Sequence, residues 1–186
     1  MKRLGFILAT AVLTLGVLPA GIASAATSTA TFEFHIADAL LQEAVGSPPY
    51  AIAMAANGDT VAIQGTGTLN AGTGEASGSG VFIHHEVATG SDFHGTWTAD
   101  RLISFQFYGC GTEGLPANFC GGLAKLSITA TPDAEPALHI PATLWVDCLL
   151  GDKVPGGGAE GVRVNVPDVI NFNKTVESGF TLFVAT

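Results

Sequence analysis

Between residues 31 and 185, apolar side chains recur at every second position in short runs, and the runs are cut by Gly, Pro, Asn and Asp. A period of two marks a strand with one buried face. A helix cannot use it, because its apolar positions must fall three and four apart. Gly supplies 24 of the 186 residues and charged residues only 12%, about half the share usual in a soluble domain. Lys, Glu and Gln, the residues that carry surface helices, are scarce, which argues against a helical bundle. The hydrophobic share of 47% is too high for a chain that stays disordered.

The runs can be followed one by one. In residues 31–36, Phe32, Phe34 and Ile36 fall on one face. Residues 38–45 (DALLQEAV) are the one helix-like stretch. Asp38 is suited to cap its N-terminus, and Gly46 with Pro48-Pro49 ends it. Residues 50–56 and 59–70 flank Asn57-Gly58, the signature of a two-residue hairpin turn in which both residues take φ > 0. Val61, Ile63 and Leu69 then share a face with Gly65 and Gly67, which points to a bend or a close backbone approach. Residues 71–78 read as a glycine-rich loop. Residues 81–87 and 92–99 form a hairpin about Thr89-Gly90-Ser91. Further strands are expected over 102–108, 123–130, 142–150, 161–166, 169–176 and 180–185. The sum is an all-β fold, an antiparallel sandwich or barrel of about ten strands, with one short helix near residues 38–45.

The N-terminus has a different character. Met1-Lys2-Arg3 precedes an apolar run over 4–18, Pro19 and Gly21 break it, and Ala23-Ser24-Ala25 supplies a small-x-small cleavage site. This is the layout of an export signal, and the run is short for a ~20-residue membrane span. Residues 1–25 are therefore expected to be removed, leaving 26–186 as one secreted β domain, extracellular or periplasmic. No second long apolar run follows, so no membrane span is expected in the mature chain. The whole chain carries 7 basic and 16 acidic side chains. That balance excludes nucleic-acid binding by counterion release, which needs a basic surface.

Three cysteines lie in the exported part. Cys110 and Cys120 bracket a short loop with Gly neighbours and are expected to form a disulfide. Cys148 alternates with Leu144, Val146 and Leu150 and should face the core. Asp147 falls in the same apolar strand and, if buried, needs a partner such as Arg163. Asn173-Lys174-Thr175 matches the glycosylation sequon.

Catalytic signatures such as Gly-x-Ser-x-Gly, a Walker loop and His-Glu-x-x-His are absent from the sequence. The one dense group of ligand-type residues is His84-His85-Glu86 with Asp92 and His94. If Ala88 pairs with Asp92, Val81, Ile83, His85 and Val87 share an apolar face with Phe93 and Trp97. Glu86 then lies opposite His94, with His84 on the diagonal, close enough for a divalent ion to be held by His84, Glu86 and His94. A register slipped by one pairs His85 with His94 and mixes polar and apolar residues on both faces. His35, beside Glu33 and Thr31, is expected to be solvated, and His139 to lie at a strand edge. The functional expectation is a non-catalytic binding or surface-interaction module, with a small ligand or an extracellular macromolecule as partner and no cofactor. The alternatives are an enzyme with an acid/base or metal-assisted site in a barrel mouth around the 84–94 hairpin, and a structural extracellular component.

Overall fold

The computed structural model describes residues 30–186, so the expected export segment lies outside the described residues. In chain order these form β1 (Thr31–Ile36), α1 (Ala39–Val45), β2 (Ala51–Met54), β3 (Thr60–Asn70), β4 (Ala76–Glu86), β5 (Ser91–Cys110), β6 (Phe119–Pro132), β7 (Ile140–Cys148), β8 (Gly161–Val166), β9 (Ile170–Phe172), β10 (Thr175–Ser178) and β11 (Thr181–Ala185). The fold is all-β and antiparallel, as the alternation requires.

Local chemistry accounts for the first elements. Phe32, Phe34 and Ile36 are all buried on the inner face of β1. Asp38 caps α1, its Oδ1 accepting from the Leu41 amide at 3.2 Å, and Gly46 at φ +69° closes the other end in the left-handed conformation. His35 is not solvated: its side chain is 12% exposed, and Nδ1 lies 2.6 Å from Asp38 Oδ2. The helix cap, absent from any pairing argument on β1 alone, folds back over it. The turn between β2 and β3 also differs from expectation. Gly58 alone takes positive φ, and the Ala55 amide donates to the Asp59 carbonyl across a three-residue loop. This is the longer hairpin connection, with the glycine at its left-handed position.

The expected loop over 71–78 is shorter, because β4 already begins at Ala76 and pairs with β3 along its length. Gly78 and Gly80 sit in that strand opposite Gly67 and Gly65. Over this bare patch lie the rings of Phe34 and Trp97, stacked with centroids 6.5 Å apart. A Cβ on Gly65 would stand 2.4 Å from Trp97 Cζ2, and one on Gly80 only 1.9 Å from the Gln64 carbonyl. The glycines are thus the floor on which the largest buried side chain rests.

Residues 92–108, read as two strands, form one 20-residue strand, β5. Irregularities at Ala99/Arg101, Leu102/Ser104 and Phe107/Gly109 let it coil against β6 without breaking. The expected strand over 169–176 is instead divided into β9 and β10, which pair with different neighbours, β8 and β2.

The sheet forks twice. One edge of β3 pairs with β2 over residues 60–63 and with β1 over 65–70. One edge of β6 pairs with β11 at 119–120 and with β7 over 122–130. The path β1–β3–β4–β5–β6–β11 therefore returns to β1 and closes. The flanks β10–β2 and β7–β8–β9 curl toward each other, and β2 touches β8 without pairing to it. The result is barrel-like with an open seam, and one core fills it.

Cys110 and Cys120 are direct neighbours across β5 and β6 and form the expected disulfide, with S–S 2.03 Å. Cys148 is free and buried. Closing a loop of ten residues is worth about 2–3 kcal/mol in the chain-entropy model. Non-reducing peptide mapping should therefore give one linked Cys110/Cys120 pair and an unlinked Cys148, and Cys110→Ser/Cys120→Ser should lose about that much stability in urea unfolding.

Candidate functional site

The 84–94 hairpin does not adopt either register weighed from the sequence. His85 pairs with Asp92, His84 with Phe93 and Ile83 with His94. The connection is residues 87–90, closed by the Gly90 amide donating to the Glu86 carbonyl at 2.8 Å, with Gly90 at φ +69°. Because side chains alternate, His84 and Glu86 stand on one face, and His94 on the other with Ile83 and His85. The structure therefore does not bring His84, Glu86 and His94 together. Among the described residues no three of His, Cys, Asp and Glu converge as a metal-binding group. The physical reason for the register is aromatic packing on glycine. Phe82 lies over Gly95 and Trp97 over Gly80 across the strand pair, where a Cβ on Gly95 would meet the Phe82 ring at 2.5 Å. Segregating Val81 and Ile83 inward, the basis of the expected register, would have turned the Phe82 ring outward and taken Trp97 off its pairing with Gly80.

Outward-facing His85 and Asp92 pair with each other, Nδ1 2.8 Å from Oδ1 and both about half exposed, and at the turn Thr89 Oγ1 donates to Glu86 Oε2. His139 is exposed beside Thr131, as expected of an edge.

The inward face of the same hairpin lines a cavity of about 330 Å³ at this end of the barrel. Its walls come from β3 to β9, among them Ile63, Trp97, Ile128 and Val164. Phe93 and Val169 at its rim are 48% and 76% exposed, so it opens to solvent there. Of the eighteen lining residues, only His84 and Glu135 carry titratable side chains. Trp97, 1% exposed, has its indole N–H committed to the Gln64 carbonyl at 3.2 Å.

His84 is held from three sides. Its ring meets Phe172 edge-on at 5.3 Å and Phe93 at 5.8 Å, and its Nε2 stands 3.4 Å from Asp59 Oδ2. Asp59 is buried in the β2–β3 turn. Its Oδ1 accepts from the Val87 amide at 3.0 Å and its Oδ2 from Asn57 Nδ2 at 2.8 Å. The Val87 amide, with Asn57 and His84 adding to it, holds the Asp59 carboxyl below its usual range against the opposing effect of burial. Asp59 thus ties two turns together and fixes the histidine. The hairpin fragment 84–86 was visible in the sequence. Asp59 and Phe172 were not, since nothing local indicates that a turn 25 residues upstream and a strand near the C-terminus meet there.

The far end of the barrel has a second cavity, of about 340 Å³, beneath Leu41 and Val45 of α1. Its acid, Glu160, is already saturated: Oε2 accepts from the Leu149 amide at 2.7 Å, Oε1 from the Thr181 amide at 2.7 Å and the Thr181 hydroxyl at 2.9 Å. Burial raises the Glu160 carboxyl above its usual range and pushes the neighbouring Cys148 thiol up as well. With its acceptors spent, this carboxyl straps β7 to β11. Asp147, next in the chain, is buried and does meet Arg163: Nη1 lies 3.6 Å from Oδ2, while the Tyr108 hydroxyl donates to Oδ1 at 3.3 Å. Burial raises Asp147 and carries Tyr108 to about 12.

Together these features define a barrel-like all-β protein with an apolar, open-ended cavity and one oriented histidine in its wall. No protein-family model matches the chain, and no curated protein or solved structure is significantly similar to it.

Proposed function

We propose that this chain is an exported, non-catalytic binding module, with residues 26–186 as its working domain, and that it takes a small apolar ligand into the cavity beside His84. The observation that carries the reading is the composition of that cavity: sixteen of its eighteen lining residues bear no titratable side chain, and it opens at an exposed rim. An apolar cavity of ~150 Å³ takes benzene, so about 330 Å³ suits a bicyclic body of roughly ten to twelve heavy atoms. Export is supported by the basic start, apolar run and Ala23-Ser24-Ala25 site, and by a disulfide of the kind that persists in oxidising compartments. Among the described residues no helix is long and apolar enough to cross a membrane. The catalytic alternative has less behind it, because His94 faces away from His84 and the neighbouring acid, Asp59, is spent on orienting it.

Naphthalene is a suitable probe. The Trp97 indole N–H resonance should shift saturably as it is added, with a Kd on the order of 10 to 100 µM. Ala130→Phe, which fills the cavity from β6, should abolish the shift while leaving the protein folded. An unperturbed Trp97 resonance in the wild type would reject the reading.

A further inference from the structure

The geometry points to a specific ligand class for this cavity: we infer that His84 is its polar anchor, and that the preferred occupant is a neutral hydrogen-bond donor, a hydroxyl or ring N–H on a bicyclic apolar body, rather than a carboxylate. The inference rests on the cavity being a ligand site. An ionised carboxylate can only accept, and Asp59 already accepts from the Val87 amide and the Asn57 side chain. The contact at 3.4 Å must therefore place the hydrogen on His84 Nε2. A neutral imidazole with a protonated Nε2 has a bare lone pair on Nδ1. No described residue supplies a donor to that nitrogen.

The ring cannot easily turn to find one. Phe172 of β9 lies edge-on to it, Phe93 of β5 lies across the strand pair, and Asp59 holds the opposite nitrogen. His84 lines the cavity, so a ligand that brings a donor can meet the ring nitrogen that Asp59 leaves free, within an otherwise apolar lining. The charge around the mouth selects against anions. Glu135 lines the rim, Asp59 stands behind the ring, and the chain carries 16 acidic against 7 basic side chains. A ligand carboxylate would meet a lone pair and two like charges.

Calorimetric titration of the mature protein at pH 8 separates the possibilities. Four probes share one body: naphthalene, 2-naphthol, 2-methoxynaphthalene and 2-naphthoate. A single half-buried hydrogen bond should make 2-naphthol about five- to tenfold tighter than naphthalene. Methylation removes the donor, so 2-methoxynaphthalene should fall back to naphthalene's affinity, and 2-naphthoate should bind weakest. His84→Phe should leave naphthalene within about twofold and erase the preference for naphthol. The methoxy probe asks the same question of the unaltered protein should that variant fail to fold. Equal affinities of naphthalene and 2-naphthol in the wild type overturn the anchor and leave the cavity standing. Tightest binding of 2-naphthoate overturns it too. Failure of all four probes overturns both the anchor and the cavity reading.

Discussion

Gly80→Ala is expected to cost about 3 kcal/mol, at the upper end of overpacking penalties. The added Cβ would lie 1.9 Å from the Gln64 carbonyl oxygen, 2.7 Å from Gly65 Cα and 2.7 Å from Trp97 Nε1. Two of these neighbours are backbone atoms on the paired strand, so no rotamer change relieves them. The strands would have to separate, and Trp97, which donates to that same Gln64 carbonyl, would lose its floor. Gly156→Ala is the matching control. Nothing lies within 4 Å of a Cβ there, and its stability should stay within about 0.5 kcal/mol of wild type. Urea unfolding of the two variants checks both values, and the cavity beside Trp97 gives Gly80→Ala a second readout in lost naphthalene binding.

Arg163→Met is the second large effect. Breaking a buried ion pair costs 3–5 kcal/mol when the remaining charge has no outlet. Arg163 is 26% exposed and the Tyr108 hydroxyl still donates to Asp147, so about 2–3 kcal/mol is expected at pH 7. The loss should shrink in acid. Burial raises Asp147 in the folded state above its unfolded value of 3.8, so the native state binds the proton more tightly. Its contribution is then least unfavourable below the unfolded pKa and grows as pH rises through the folded one. Removing Arg163 takes away an influence that lowers Asp147, which widens this window. Stability of the variant relative to wild type, measured from pH 7 down to pH 4, should therefore converge. A difference that widens toward acid would mean that Asp147 is stabilised as a carboxylate.

Asp59 runs the other way. Its folded pKa is lowered, so its stabilising hold on the 87–90 turn is present above its unfolded value and is lost as pH falls through the folded one.

The sequence displayed whatever depends on neighbours in the chain. Asp38 and Gly46 bound the helix, because a cap is a local interaction. Phe32, Phe34 and Ile36 revealed an inner face, because strand alternation is local too. The Cys110–Cys120 bridge joins residues only ten apart. What failed depended on partners from elsewhere. Gly78 looked like loop, and Gly80 lay outside the expected strands, until Gly65, Gly67 and the two rings above them supplied a reason for bare strands. The register of the 84–94 hairpin turned on Phe82 over Gly95 and Trp97 over Gly80, cross-strand packing that outweighed the inward placement of Val81 and Ile83. At the candidate site, His84 was legible as a polar residue on a hairpin. Its orientation by Asp59 and Phe172 was not, because those contacts span 25 and 88 positions of chain.

The most direct test of the cavity as a binding site is to locate a bound probe. Methyl-labelled protein saturated with naphthalene should show intermolecular nuclear Overhauser effects to Ile63, Ile128 and Val164, which line the cavity beside His84. Cross-peaks confined to Leu41 and Leu182, at the opposite end of the barrel, or no cross-peaks at all, would contradict it.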